Sequence, residues 1–557
     1  MSWIAGIYGR DAKQSRRKIV LMMEAAYPSS SPSGNGHHWM LSSVSEDMNG
    51  RALAQLSSPI PGKPLEYPYS GCQGELVSGC DGHLYNFQAV ASKLSHEDYG
   101  AETAVAELVV HLLEEFPGGL EQKVRELLIE LDGDYALVVC DADQMVISRN
   151  SLGTKPLYFA EDDRFFAFAS NKKPLWKIGL GNVVPLRAGK LAVFDHEGVS
   201  IKEALPLHKW ETDIKSMGQA MDDYQEALYS AVRKRLDGLS HLDKVGVLLS
   251  GGVDSCLLAK LVYDVASDLG VKLVAYTAGL PDSSDVRFAR EFAEEVGIKH
   301  KTRMLSIDEV EEYIPRVIEA VEDGDFVQVE AGIGVYAAMD MARQDGIKLL
   351  LSGQGPDELW GGYTWYPEVL GRHGRQELCR RMWDDFTRVD IETLDRENKI
   401  AMAHGAEMIF PYLDTEVVNL ATSVTSELKV TSEEDHLGKH PHRQLARRMG
   451  IPAKYANRSK DAAQHGSGIH DVLDEVAKRE GFNPDVVKET GYSSDRVTAK
   501  KMGSSSRYGY KYDKKSLWRV PQPVQFFFHS LAYEEGMLNK SARDNIEYFL
   551  NKMRHSP

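Results

Sequence analysis

The stretch Ser250-Gly251-Gly252-Val253-Asp254-Ser255 decides the fold of this chain. Residues 244–249 before it are apolar and predict a buried strand, and the apolar period of residues 256–269 after it predicts a helix. A strand that leads through a serine- and glycine-rich turn into a helix forms an anion site, because backbone N–H groups, hydroxyls and the positive end of the helix dipole meet at the turn. Phosphate is the ligand expected at this site. Asp254 would repel phosphate unless a cation such as Mg²⁺ lies between them.

This hexapeptide resembles the SGGxDS pyrophosphate-binding loop of the N-type ATP pyrophosphatases. The resemblance implies an enzyme that cleaves ATP to AMP and pyrophosphate. An ordinary glycine-rich turn in an α/β sheet is the alternative, which the full hexapeptide after a Val/Leu strand disfavours. The sequence contains no Gly-x4-Gly-Lys-Ser/Thr segment, so it gives no support for a P-loop kinase or ATPase.

The length and composition limit the classes of protein to be considered. A chain of 557 residues is too long for one core and predicts about two to four domains. Its net charge of −17 argues against nucleic acid or an anionic membrane as a general partner, because such binding depends on basic residues. The five cysteines are scattered and odd in number, and no run of 18 apolar residues occurs. We therefore expect a cytoplasmic protein whose partners are small molecules, with homodimerisation left open.

The first part of the chain predicts a layered α+β domain, because strands, helices and further strands follow one another. Strands are expected at 3–9, 74–84 (with a turn at Asp81-Gly82), 134–147 and 156–169, and helices at 11–26 and 101–115. Segments 132–137 and 149–158 resemble the glutaminase domain of asparagine synthetases and other class II glutamine amidotransferases. The resemblance implies an Ntn-hydrolase-like domain over residues 1–205.

This domain departs from that family at its chemical centre. Such glutaminases use a cysteine exposed by removal of the initiator methionine, with its own amine as base, and hold glutamine with an Asn-Gly-Glu run. Here Ser2 stands in the position of the cysteine, and Asp81-Gly82-His83 replaces the Asn-Gly-Glu run. A serine is a far weaker nucleophile than a thiol near neutral pH. We expect a domain without glutaminase activity, as in β-lactam synthetases, which use an internal amine; Ser2 as an N-terminal nucleophile is the alternative.

The second domain, residues 220–557, predicts a doubly wound parallel sheet, because strands and helices alternate after the hexapeptide. Strands are expected at 273–278, 299–305 and 347–351, and helices at 285–296, 307–321, 331–343, 523–537 and 541–553. Ser250 and Ser352 each follow a strand, and ligands of such sheets bind at the carboxyl ends of the strands. The polar segment 206–219 is the expected boundary between the domains.

A second cluster, Ser352-Gly353-Gln354-Gly355-Pro356-Asp357-Glu358, continues to Gly361-Gly362-Tyr363 and resembles the SGEGSDE-x-x-GGY segment of the asparagine synthetase family. Together with SGGVDS and segment 411–414 it identifies residues 220–470 as a member of that family. The resemblance implies that Asp254 and Asp357 hold Mg²⁺, with a loop cap as the alternative for Asp357. The residues that the resemblance assigns to ATP are Leu248, Ser250, Gly251, Gly252, Asp254, Ser255, Thr277, Ser352 and Gly353.

A third segment, Arg458-Ser459-Lys460, followed by a glycine-rich turn, resembles the lysine loop of the same family. A fixed cation stabilises the negative charge that grows on the α-phosphate and on the later tetrahedral centre, so Lys460 is predicted to be catalytic. A solvated surface lysine is the alternative. Arg443 and Arg447 lie in a basic stretch that suits either phosphate contact or an exposed helix face.

The family resemblance implies a ligase in which a carboxylate attacks ATP, pyrophosphate leaves, and ammonia or another amine displaces AMP from the acyl-adenylate. Glu330 and Ile409 replace two arginines expected near the acid, and Gln354 replaces a glutamate, so Glu330 and Gln354 are further candidate catalytic residues. A buried Glu330 needs a cation, either on the substrate or from an internal arginine or lysine. We therefore expect an amine-bearing acid rather than aspartate.

Two alternatives remain for the function. One is a β-lactam-synthetase-like or other specialised amide-forming ligase. The other is a nucleic-acid-modifying ATP pyrophosphatase, which would need a reactive cysteine pair and a basic face that the sequence does not show.

Overall fold

The computed structural model describes residues 2–9, 12–26, 51–57, 68–72, 74–94, 103–207, 213–237, 242–459, 466–497 and 520–555. In these residues sixteen strands form three sheets. The first eleven are β1 (Ser2–Gly9), β2 (Arg51–Ser57), β3 (Tyr69–Ser70), β4 (Val77–Leu84), β5 (Gly133–Cys140), β6 (Met145–Arg149), β7 (Tyr158–Glu161), β8 (Phe165–Ala169), β9 (Val184–Pro185), β10 (Lys190–Asp195) and β11 (Gly198–Glu203).

These eleven strands form two antiparallel sheets that pack face to face. Their strand orders are β2-β1-β8-β7-β9 and β11-β10-β6-β5-β4-β3. Apolar side chains of both sheets share one core, among them Ile4 and Phe168 from the first sheet and Val138 and Ile147 from the second. Helices cover the outer faces, and the helices of this part are Ala12–Ala26 on the first sheet, Val105–Glu115 and Leu120–Glu130 on the second, Phe87–Ala91 and Lys173–Lys177.

The prediction of a turn at Asp81-Gly82 is wrong. Strand β4 continues through both residues, with Asp81 opposite Ala136 and Gly82 opposite Tyr135 in β5. Gly82 has a φ of 144°, and a Cβ on it would lie 2.0 Å from the carbonyl oxygen of Asp134. The glycine therefore permits a close approach of two strands rather than a turn.

The two long strands predicted next are also different in the structure. Each is a hairpin of two shorter strands, formed by β5 with β6 and by β7 with β8. A break between antiparallel strands carries little signal when both strands are apolar, which explains the error.

The predicted parallel sheet is confirmed. Its strands are β12 (Lys244–Leu248), β13 (Lys272–Gly279), β14 (Lys299–Met304), β15 (Leu349–Leu351) and β16 (Glu407–Ile409), in the order β14-β13-β12-β15-β16. The sequence order reverses between β12 and β15. Ligands of open parallel sheets bind outside the carboxyl ends of the strands at such a reversal. The segments that begin at Ser250 and Ser352 follow these two strands and therefore meet at this crevice.

Helices surround the parallel sheet and close the C-terminal part of the chain. None of the helices in the described segments has the length and apolar character needed to cross a lipid bilayer. The helices are Met217–Leu236, Val253–Asp268, Ser284–Val296, Ile307–Val321, Phe326–Gln344, Pro356–Trp360, Tyr366–Phe386, Asp390–Leu394 (a π-helix), Asp395–Ala403, Pro411–Leu413 (a 3₁₀ turn), Thr415–Ser423, Ser426–Lys429, His440–Arg448, Ala453–Ala456, Ile469–Arg479, Pro484–Thr490, Ser494–Val497, Gln522–Glu534 and Lys540–His555.

The helix predicted at 331–343 begins earlier than expected. It runs over Phe326–Gln344, because the carboxylate of Asp325 accepts hydrogen bonds from the backbone N–H groups of Val327 and Gln328 and so caps the helix. Glu330 consequently lies in the second turn of this helix and projects from a fixed backbone, not from a loop ahead of it.

Buried ion pairs join the N-terminal sheets to the parallel sheet. Glu407, on the edge strand β16, pairs with Lys155 and lies 2.8 Å from Nε2 of His83. Arg235, in the second part of the chain, lies 3.5 Å from Asp134 in β5. Removal of one partner of such a pair would leave a buried, uncompensated charge, which is costly. The pairs between Glu407 and the N-terminal residues therefore fix how the two parts of the chain dock.

Candidate active site

A cleft at the carboxyl ends of β12, β13 and β15 brings most of the predicted site residues together. The space in it that protein atoms leave free is about 930 Å³, part of which is open to solvent. Gly251 and Gly252 belong to the loop at its edge but do not line it, and Lys460 lies outside the described residues. The predicted residues that line the cleft are Leu248, Ser250, Asp254, Ser255, Thr277, Glu330, Ser352, Gly353, Gln354 and Asp357.

The loop after β12 is held in shape by its own serines. Oγ of Ser255 accepts a hydrogen bond from the backbone N–H of Ser250 at 3.1 Å and donates one to the carbonyl of Gly252 at 3.1 Å. Gly251 has a φ of 71°, and a Cβ on it would lie 2.5 Å from Cβ of Phe288. Only glycine allows the loop to pack this closely on the helix Ser284–Val296. The start of the next helix, Val253–Asp268, is thereby fixed beside the cleft, where it can bind an oxyanion.

Lys439 joins the two predicted metal ligands. Its Nζ lies 2.6 Å from Oδ2 of Asp254 and 2.7 Å from Oδ1 of Asp357, and its side chain is only 1% exposed. The two carboxylates thus converge on one point. Carboxylate oxygens are the donors that Mg²⁺ prefers, so these residues fit a magnesium ion that shares them with Lys439. The sequence analysis missed this lysine, although it directly precedes the basic stretch 440–448.

His442 completes the surroundings of Asp254. Its Nε2 lies 3.1 Å from Oδ1 of Asp254, and its Nδ1 lies 2.8 Å from the hydroxyl of Tyr224. Burial lowers the pKa of His442, so the ring is neutral near pH 7. A neutral ring protonated on Nε2 donates to Asp254 and accepts from Tyr224. The histidine therefore orients Asp254 without adding a second positive charge beside Lys439.

Thr277 links the ends of the three neighbouring strands. Its Oγ1 donates to the carbonyl of Leu249 at 2.5 Å and lies 2.8 Å from Nε2 of His300. Burial lowers the pKa of His300 to about 4, so this ring is neutral and its Nε2–H can donate to the threonine. The contact fixes the cleft wall near Leu248, the predicted nucleoside side.

A buried carboxylate, Glu397, supports Gln354 on the other side of the cleft. Nε2 of Gln354 donates to Oε1 of Glu397 at 2.6 Å, and Glu397 also lines the cleft. Burial raises the pKa of Glu397, which brings its protonated and ionised forms closer in free energy. Such a carboxyl group is suited to proton transfer. The sequence analysis missed Glu397, because it lies 43 residues after Gln354 in a helix without a recognisable motif.

Glu330 has an internal partner. It is 1% exposed, and its Oε1 forms a short contact with Nδ1 of His470, on the helix Ile469–Arg479. The hydrogen bond to Glu330 raises the pKa of His470, and burial raises the pKa of Glu330. The expected partner was a cation on the substrate, or an internal arginine or lysine. The histidine takes that place, so a cationic substrate is not required to neutralise Glu330.

Two arginines brace the loops around the cleft. Arg458 donates to the carbonyl of Ser250 at 3.0 Å and to Asp285 at 2.8 Å, which ties the start of the predicted lysine loop to the SGGVDS loop. Arg443 is 2% exposed and donates to backbone carbonyls, so the interpretation that it lies on an exposed helix face is wrong. Arg447, by contrast, is exposed. The buried Arg443 and the half-buried Arg458 thus both hold loops of the cleft in place.

Glu358, next to Asp357, holds a proton near neutral pH. It is buried, and the hydroxyl of Tyr363 donates to its Oε1 at 2.5 Å. Burial, followed by the charge of Asp357, raises the pKa of Glu358 to about 8.

We expect Glu358→Gln to change the pH dependence of stability. In the unfolded chain this carboxyl loses its proton near pH 4.5, whereas the folded protein keeps it up to about pH 8. The wild-type free energy of unfolding should therefore fall, relative to the variant, by up to about 1.4 kcal/mol per pH unit across this window. Urea unfolding of both proteins at several pH values measures the difference. Parallel pH profiles would contradict the shifted pKa.

Comparisons with known proteins agree with this architecture. The family model described as asparagine synthase matches residues 223–526, and the model described as glutamine amidotransferase domain matches residues 66–177. A Methanocaldococcus jannaschii protein assigned to the glutamine-hydrolyzing asparagine synthetases is 30% identical over 493 residues, which cover 80% of this chain and 88% of that protein. The Gallus gallus asparagine synthetase is 26% identical, over 74% of this chain and 79% of its own.

Among solved structures, a glutamine phosphoribosylpyrophosphate amidotransferase from B. subtilis matches 54% of this chain and 65% of its own at 12% identity, with a TM-score of 0.30. That likeness is too weak to support a statement about the fold. The family models and the relatives, by contrast, extend over both parts of the chain. The chain therefore belongs to the asparagine synthase family of ATP-dependent, amide-forming ligases.

Proposed function

We propose that the protein activates a carboxylic acid with ATP as an acyl-adenylate, releases pyrophosphate, and transfers the acyl group to ammonia or an amine with release of AMP. The observation that carries this proposal is the convergence of both serine-glycine loops on one cleft, with Asp254, Asp357 and Lys439 between them. Such an enzyme chiefly positions charged reactants and screens their repulsion.

The pyrophosphate end of ATP is assigned to the SGGVDS loop. The hydroxyls of Ser250 and Ser255 and the start of the helix Val253–Asp268 supply hydrogen-bond donors there. Mg²⁺ held by Asp254 and Asp357 would stabilise the negative charge of the leaving pyrophosphate. Lys439 offsets one of the two carboxylate charges, and the bound Mg²⁺ would offset the rest, so the carboxylates would not repel the phosphates. The nucleoside is assigned to the cleft wall near Leu248 and Thr277. Ser352 and Gly353 are assigned to contact ATP from the opposite wall.

The acid and the amine are assigned to the end of the cleft near Glu330 and Gln354. An attacking amine must lose a proton when it displaces AMP, and Glu397 is the carboxylate placed to take it, with Gln354 holding its orientation. The pair of Glu330 with His470 is assigned to the wall of the site that would bind the carboxylic acid substrate. Lys460 keeps its proposed role as the cation for the α-phosphate.

We further propose that residues 1–205 form a glutamine amidotransferase-like, Ntn-hydrolase-like domain without glutaminase activity, and that residues 220–557 form the ligase domain. Oγ of Ser2 donates to Oδ1 of Asp81 at 2.9 Å, and burial raises the pKa of Asp81. A serine hydroxyl is a far weaker nucleophile than a thiol near neutral pH, and this contact does not replace the missing thiol.

Asp254→Asn and Lys460→Ala should each abolish AMP formation while the protein folds normally. Each substitution removes a charge from the phosphate chemistry, and loss of one transition-state cation costs on the order of 10²- to 10³-fold in rate. Asp264→Asn, on the same helix as Asp254, and Lys454→Ala, at the protein surface, are the matched controls and should keep full activity. Near wild-type AMP production by Lys460→Ala would refute its assignment.

Glutamine should not be hydrolysed by this protein. Ser2 lacks thiol nucleophilicity, and Asp81 and His83 replace the residues expected to hold glutamine. Glutamate release from glutamine is the measurement, with Ser2→Ala as the control. Glutamate release that is present in the wild type and lost in Ser2→Ala would show that the serine is an active nucleophile.

Aspartate with ammonia should be a poor substrate pair, and an amine-bearing carboxylic acid a better one. Glu330 is already paired with His470, and Ile409 is buried and apolar, so neither position gives the second carboxylate of aspartate the positive charge that an arginine would supply. An acid with a single carboxylate needs no such charge. AMP release with a panel of acids measures the preference, and Glu330→Gln should improve the use of aspartate. AMP release from aspartate and ammonia at roughly 1 per second or faster, unchanged in Glu330→Gln, would contradict this.

A further inference from the structure

A second group of side chains with metal-binding chemistry lies in the N-terminal half, away from the residues of the cleft. Cys72, His111 and Glu114 each offer one ligand atom, and these three atoms lie within 4.8 Å of one another. Cys72 follows the short edge strand β3, and the other two residues lie one turn apart on the helix Val105–Glu115. Three chemically different donors from two separate segments thus point to one position.

The distances between the donors suit a zinc ion. Sγ of Cys72 lies 3.7 Å from Nδ1 of His111, which lies 3.1 Å from Oε2 of Glu114. Zinc binds sulfur at about 2.3 Å and nitrogen or oxygen at about 2.0–2.2 Å, so a tetrahedral site separates neighbouring ligand atoms by roughly 3.4–3.6 Å. The two separations that involve Nδ1 of His111 therefore differ from these values by only a few tenths of an ångström, and the sulfur of Cys72 and the carboxylate oxygen of Glu114 lie within 4.8 Å.

The surroundings hold two of the donors in place and leave the third accessible. His111 is 6% exposed, and the ring of Tyr69 lies edge-on to it with centroids 5.7 Å apart. A Cβ on Gly71 would lie 2.2 Å from Oε1 of Glu114, so the glycine leaves room for this carboxylate. Cys72 is exposed, whereas the other cysteines are buried or half-buried. Solvent can therefore reach the remaining coordination position.

A metal ion suits this arrangement, because it can bind all three donors together. Nδ1 of His111 faces both a thiol and a carboxylate, and a single proton on Nδ1 serves only one of them as donor. A divalent cation accepts electron pairs from all three groups at once.

We propose that Cys72, His111 and Glu114 bind Zn²⁺, with solvent as the fourth ligand. Thiolate and imidazole select zinc over Mg²⁺ and Ca²⁺, which take oxygen ligands. The ion would tie the two-residue strand β3 to the helix Val105–Glu115, and so stabilise an edge of the N-terminal sheet. This site is independent of the ligase chemistry proposed above.

Titration of the metal-free, full-length protein with Co²⁺, a spectroscopic substitute for Zn²⁺, tests the site. One Co²⁺ per chain should bind with a thiolate-to-cobalt charge-transfer absorption, and Zn²⁺ should displace it. Zn²⁺ should also raise the midpoint of thermal unfolding. Cys72→Ser should abolish the charge-transfer absorption and the thermal shift, and Glu114→Gln should weaken binding by at least about tenfold.

Cys379→Ser is the matched control, because Cys379 is half-buried and lies in the other part of the chain. It should keep both the absorption and the thermal shift. Equal thermal midpoints of metal-free Cys72→Ser and metal-free wild type would show that the exposed cysteine is not needed for folding. No charge-transfer absorption in the wild type, or an absorption that persists in Cys72→Ser, would overturn the proposal.

Discussion

The ammonium group of Lys439 between Asp254 and Asp357 is the contact on which the rest of the site depends. Two carboxylates this close would repel each other and any bound phosphate, and the buried lysine reduces that repulsion by offsetting one of the two charges. The backbone at Lys439 has a φ of 54°, which is unfavourable for a residue with a side chain. Arg443 holds this conformation by donating to the carbonyls of Leu437 and Gly438 at 2.9 and 3.0 Å. Backbone strain is thus maintained where a charge must be positioned.

The parallel sheet and the N-terminal half together supply the frame for this contact. The reversal of strand order between β12 and β15 brings two distant loops to one crevice. The short strand β16 supports the second loop, because the carbonyl of Ile409 accepts a hydrogen bond from the N–H of Ser352 at 2.9 Å. Glu407 of the same strand is anchored by Lys155 and His83. The N-terminal half therefore supports the site structurally, and this support does not depend on glutamine chemistry.

The structure brings together at one cleft the predicted residues that belong to local motifs. The SGGVDS loop and the segment from Ser352 to Asp357 carry their chemistry in consecutive residues, and the structure brings both to the cleft. Lys439, Glu397 and His470 were missed, because each reaches the site through tertiary packing from a segment without a motif. The start of the helix at Phe326 could have been found from Asp325, a favourable capping residue. Gly82 was misread, because a glycine needed for close approach of strands has the same sequence signal as a turn.

The fate of oxygen in the acid substrate tests the central claim most directly. The substrate would carry ¹⁸O in its carboxylate, and the products of one turnover with ATP would be analysed by mass spectrometry. Attack of the carboxylate on the α-phosphorus requires one ¹⁸O to appear in AMP, with none in pyrophosphate. Recovery of ¹⁸O in inorganic phosphate, together with ADP, would contradict an acyl-adenylate and with it the assignment of the cleft.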